Sequence, residues 1–351
     1  MTYSKWQVNL TNFLQRISSL SQLTKGHKNV WHDLSRLRPK SNSNMVPPYH
    51  FYQGFMLDFF ILKQATYKNI LDNFEQLEPL VLRDVSDYSK DDYKKTLRAS
   101  IRQTYFHSIE TLFELIFAIE TGVRVSPDHH QDELTLLRLV RSQSQINFKR
   151  IENLASKDPD ELQLWTKKYK LNSIDQELSM IQYIFYYITN RSNTSIDHPE
   201  YWDLLDSSLQ CIENSLGLFA KDFSDRTEYN AYKHGLRILP LLKGFTTLNS
   251  ETAQTVHFDF SDSITYMTEK DNQIKYTTKV FDTERDFQMT VLVSYFISNI
   301  TNARKGVFFD QAKLLRFFHP DEVSKLSKVN VKAREMVETY TYEKSIKSSL
   351  P

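Results

Sequence analysis

The chain has 351 residues, with 44 Lys+Arg against 43 Asp+Glu, 40% hydrophobic and 25% charged residues. That length allows one large domain or two ordinary ones, and the composition suits a folded chain rather than a disordered one. Balanced charge excludes a global basic field for nucleic acid, and seven glycines with no GxGxxG or GxxxxGK[ST] exclude a phosphate-cradling loop.

In chain order, helical periodicity dominates. Residues 4–24 read as a first helix, with Trp6, Leu10, Phe13 and Leu14 on one side, followed by an irregular stretch ending in RPKSNSNMVPP. A long helix is expected over about 50–78, and another over about 91–121, stopping at Gly122. Helices follow at 131–156, 159–169 and 173–190. The clearest is 199–220, where Leu205, Leu209, Ile212, Leu216 and Phe219 step by four and three along one stripe. After KDFSD, Asp225 and Glu228 look like a capping box, so a further helix starts near Arg226. From about 250 the pattern alternates. TVHFDF, SITYMTEK and QIKYTTKVF predict a small antiparallel meander over 255–281. A helix is expected at 283–304, and a helical, charged tail at 309–345.

The fold expected is therefore mainly α, a multi-helix bundle over 1–250 with a β-meander and C-terminal helices over 251–351 packed on it as one unit. The N-terminus is polar and no apolar stretch has the length of a bilayer span. With a single cysteine, Cys211, beside an apolar stripe, a cytoplasmic setting without a membrane partner is expected, and an inert thiol.

The segment TEYNAYKHGLRI, Thr227 to Ile238, concentrates the polar chemistry. On a helix, Arg226, Asn230 and His234 share one face, with Lys233 and Arg237 in a neighbouring row. A histidine beside an amide and cations suits phosphate binding, or acid–base work on an RNA 2′-hydroxyl. The alternative is a solvated helix end, with His234 bonded to a carbonyl.

YNAYKHG resembles the R-N-x-x-x-H signature of HEPN-type helical bundles, many of them metal-independent ribonucleases of defence or toxin systems. Asn230 and His234 match, and Gly235 follows the histidine as in many members. Tyr229 stands where the family has arginine, and Arg226 lies three residues earlier. The resemblance implies a homodimer acting on RNA, with His234 as acid/base, Asn230 orienting it, and Arg226, Lys233 and Arg237 on substrate.

A second constellation lies on the 91–121 helix. Arg102 and His107 also fit an R-x4-H spacing, but they point about 140° apart. Gln103, His107, Glu110 and Glu114 form a polar stripe within a wide apolar surface. Buried there, they need partners, which Lys233, His234 and Arg237 can supply. His107, Glu110 and Glu114 share one face, yet no paired E-x-x-H accompanies them, so neither a metal nor another cofactor is expected. Two functions remain open: a HEPN-like protein binding or cleaving RNA, or a non-catalytic helical interaction protein, with a helical protein partner, in which residues 226–237 form a structural network.

Overall fold

Three short helices, α1 (Tyr49–Gly54), α2 (Phe59–Asp72) and α3 (Phe74–Val81), occupy the stretch that reads as one helix over 50–78. Asn73 marks one break: its side-chain amide donates to the Asn69 carbonyl at 3.0 Å, satisfying an acceptor at the end of α2. The structure is a computed structural model that describes residues 49–85, 87–125, 137–141, 144–171, 176–186, 199–224, 226–234, 238–239, 244–248, 255–259, 262–270, 273–309, 315–328 and 335–341. The helix expected at 4–24 lies outside them.

The central element is α4 (Lys90–Val125), which continues past Gly122 rather than stopping there. Tyr105, Phe106, Ile109, Leu112, Phe113, Ile116 and Phe117 are all buried, a surface too wide for one neighbour. It is enclosed by several. After α5 (Ser144–Ala155) and α6 (Pro159–Thr166), the chain makes a hairpin of β1 (Lys168–Leu171) and β2 (Gln176–Ser179). That hairpin corrects the helix expected from 173. Among the described residues of that stretch only α7 (Met180–Tyr186) is helical, and six of its residues are buried.

The long α8 (Pro199–Phe223) turns its predicted stripe inward: Leu205, Ile212, Leu216 and Phe219 are buried. Nine-residue α9 (Arg226–His234) follows. Then come β3 (Ile238–Leu239), β4 (Gly244–Leu248), β5 (Thr255–Asp259), β6 (Ser263–Lys270) and β7 (Gln273–Val280). The mainly α fold with a small antiparallel sheet is as the sequence implies. Its strand partners differ in detail. β5 pairs with β4 in a hairpin of its own, while β6 and β7 belong to a sheet ordered β3-β6-β7-β8.

The last strand of that sheet comes from the tail. α10 (Thr283–Phe309) packs along α4 and α2, and its Phe296 and Ile300 share one hydrophobic cluster with Phe106, Phe113 and Phe219. Leu315–His319 is not helical. Asn299 clasps both the N–H and the carbonyl of Arg316, at 2.9 and 2.7 Å, and the Phe318 N–H donates to Ser208 Oγ at 2.7 Å. Side chains thus satisfy backbone groups of Arg316 and Phe318 that a helix would otherwise pair. The strap leads into α11 (Pro320–Leu326) and then β8 (Glu335–Thr341), which pairs with β7. The helix expected across 309–345 is thus interrupted. In this strand Tyr340 sits edge-on to Tyr276 of β7 at 5.4 Å.

Candidate functional site

A nine-residue helix is marginal by itself, so α9 depends on what holds it. It lies against α4 and β6, between bundle and sheet. Tyr229 and Tyr232 pack on Phe106, with ring centroids 5.8 and 6.1 Å away. Glu228, read from sequence as a capping residue, is instead 2% exposed and bound on several sides. Arg102 Nε donates to its Oε1 at 3.1 Å, as does the Tyr232 hydroxyl, and Lys279 Nζ donates to Oε2 at 3.0 Å. Arg102 uses a second nitrogen on Asp286, in the first turn of α10, at 2.7 Å. Alongside, Asp222 of α8 receives the Tyr105 hydroxyl and Arg285 Nη2, each at 2.6 Å. Three cations and three carboxylates thereby join α4, α8, α9, α10 and β7. Mutual neutralisation is what makes their burial tolerable.

Asp286 is the uneven member of this network. One oxygen faces Arg102, while Oδ2 is buried without a hydrogen-bond partner among the described residues. Burial pushes its pKa up to about 6, against the pull of Arg102 and Arg285, with Glu228 adding to the rise. Between about pH 4 and 6 the folded chain therefore holds more protons at Asp286 than the unfolded chain does. Its contribution to the unfolding free energy is complete below pH 4 and is lost as pH rises through 6. The difference amounts to about 3 kcal/mol at most. Urea unfolding at a series of pH values should show wild type gaining stability, relative to Asp286→Asn, as pH falls from 7 to 4. Parallel profiles would contradict it.

On the other flank of α9 lies an open cleft of about 110 Å³, between α4, α5 and α9. Glu110, Glu114, Asn147, Asn230 and Lys233 bring polar groups to it over a floor of Phe113, Phe148 and Phe223. The Tyr229 hydroxyl donates to Glu110 Oε2 at 2.5 Å, and Lys233 Nζ lies 4.0 Å from Glu110 Oε1. The same ammonium stands 5.4 Å from the Tyr229 ring centre. Burial raises the Glu114 pKa, helped by Glu110 and opposed by Lys233. One turn before Glu110, His107 meets Phe60 edge-on at 5.3 Å. Desolvation lowers its pKa; Glu110 opposes that shift, and Lys63 and Lys233 add to it.

Of the residues singled out from sequence, Glu110, Glu114, Asn230 and Lys233 meet at this cleft, and His107 lies beside it. Arg102 points away from them into the buried network, as its angular offset from His107 requires. The side chains of Arg226 and His234, and the whole of Arg237, lie outside the described residues. Sequence reading missed Glu228 and Asp286. A signal for the first existed: Glu228 shares the aromatic side of α9 with Tyr232, one turn on. Nothing in a single sequence links Asp286 to Arg102, 184 positions away.

Among the described residues no group of three or more His, Cys, Asp or Glu is placed to hold a metal ion, and no helix is long and apolar enough to cross a membrane. No protein-family model, curated protein or solved structure matches the chain.

Proposed function

We propose that this chain is a non-catalytic helical interaction protein, in which α9 is a structural helix and the cleft beside it receives a protein partner. The observation carrying this reading is the use made of Glu228, which ties α9 to α4 and β7 through Arg102 and Lys279. Tyr229, at the position of the HEPN arginine, supports it, because its hydroxyl is engaged by Glu110. Two carboxylates in the cleft also oppose a phosphodiester. The reading requires neither RNA nor a homodimer, and the buried single cysteine suits a cytoplasmic setting.

The rival reading is a HEPN-like ribonuclease using His234 and Asn230. Unstructured RNA incubated with wild type and with His234→Ala in chelator separates the two. The interaction reading expects no cleavage above buffer by either protein. Cleavage by wild type that His234→Ala abolishes would overturn it.

A further inference from the structure

We propose that β8 is the contact edge of a symmetric dimer, in which a second copy of this chain adds its own β8 antiparallel to it. The inference goes beyond the reading above and does not depend on it. Among the described residues β8 is the last strand of its sheet, bonded to β7 on one side only. Alternate residues of an edge strand turn their N–H and C=O groups outward, and those groups fit another strand. The far edge offers nothing comparable, because β3 has two residues. Natural edges are blunted by lysine, proline, a bulge or brevity. β8 has none of these: EMVETYT runs for seven residues, without lysine or proline, in unbroken register with β7.

A second, independent feature points to a strand as the occupant. Val337 and Tyr340 are 52% and 55% exposed, and alternation places them on opposite faces of the sheet. Their strand neighbour is better covered: Thr277, directly across from Val337, is buried. A partner laid on one face covers only one of the two exposed side chains, whereas a strand added to the edge borders both. A second copy suits the edge for two reasons. The chain is close to neutral, with 44 Lys+Arg against 43 Asp+Glu, so copies meet without long-range repulsion. And β8 pairs favourably with itself. With the dyad at Val337, that residue faces its counterpart as a β-branched pair, and Met336 faces Glu338 of the second copy. Tyr340 reaches Met336 of the second copy on the diagonal. A dyad at Glu338 would set two carboxylates face to face, and one at Thr339 would leave Val337 opposite a threonine. So short a ladder stays below the about 1,200 Å² of a standard interface, which makes the dimer weak and reversible.

The test is sedimentation equilibrium of the full chain, from micromolar to near-millimolar concentration. The mass should rise from one chain toward two. Val337→Lys sets two lysines against each other across the dyad and should weaken association about tenfold, and Val337→Asp should do the same with two carboxylates. An equimolar mixture of the two variants should recover the dimer, because each mixed dyad then holds one lysine and one aspartate. Val337 is exposed, so circular dichroism and the urea midpoints of both variants should match wild type. A single-chain mass for wild type at every concentration would overturn the proposal. So would association unchanged in both variants, or a mixture no more associated than either variant alone. The RNA assay above is unaffected by any of these outcomes.

Discussion

Arg102→Met is expected to lower the unfolding free energy by about 3–5 kcal/mol, the range for removing one partner of a buried ion pair. The methionine keeps much of the side-chain volume but leaves two carboxylates without their shared cation. Glu228 and Asp286 side chains are each only 2% exposed, so water cannot replace the guanidinium. Arg102 also stands 4.4 Å over the Phe106 ring, a contact that methionine reproduces in part. Arg102→Lys should recover only a fraction of the loss, since one ammonium cannot repeat a fork that donates to Glu228 through Nε and to Asp286 through Nη1. Urea unfolding followed by circular dichroism reads both variants. Because α9 is short, its amides should lose hydrogen-exchange protection before those of α4.

The second large effect is expected at Arg150, far from α9 in the sequence. Its guanidinium donates to Glu161 Oε1 from Nε and Nη2, at 2.9 and 2.6 Å, and to Glu120 Oε2 from Nη1 at 2.8 Å. It also lies 4.2 Å over the Phe117 ring. Glu120 is fully buried and Glu161 nearly so. This clip fastens α5 to α4 and to the start of α6, where the Asp158 carboxylate caps the N–H groups of Asp160 and Glu161. Arg150→Met should again cost about 3–5 kcal/mol, by removing the cation that Glu120 and Glu161 share. Arg150 shares no partner with Arg102, so the two losses should add when combined, to within about 0.5 kcal/mol. A double variant no worse than either single would show that one of the clusters contributes nothing.

These two arginines also mark where sequence reading stops. The helices of the core were legible because each carries a local pattern. Leu205, Ile212, Leu216 and Phe219 announce the buried side of α8, and the crowded aromatics of α4 announce a helix covered on most sides. The hairpin β1–β2 and the strand β8 were not legible as such. Each is short, and a helical period persists across them; pairing with a neighbour decided the outcome. At the candidate site, the stripe of His107, Glu110 and Glu114 is legible from spacing, whereas which of Lys233, His234 and Arg237 stands near it is not; the structure places Lys233 4.0 Å from Glu110. Glu228 was misread because an acid in a first turn is usually a cap or a dipole partner, and only Arg102 and Lys279 show otherwise. Contacts between residues more than a hundred positions apart leave no trace in a single chain's periodicity.

The claim that α9 is a structural helix is tested most directly by a double-mutant cycle between Arg102 and Glu228. Unfolding free energies are measured for wild type, Arg102→Met, Glu228→Gln and the pair. If Glu228 is held as the geometry implies, each single change takes one charged partner from the other group, leaving Glu228 with Lys279 and Arg102 with Asp286. The pair should then cost less than the sum of the singles by about 1–3 kcal/mol. Strict additivity, or a negligible loss in Glu228→Gln, would contradict the account and free α9 for another role.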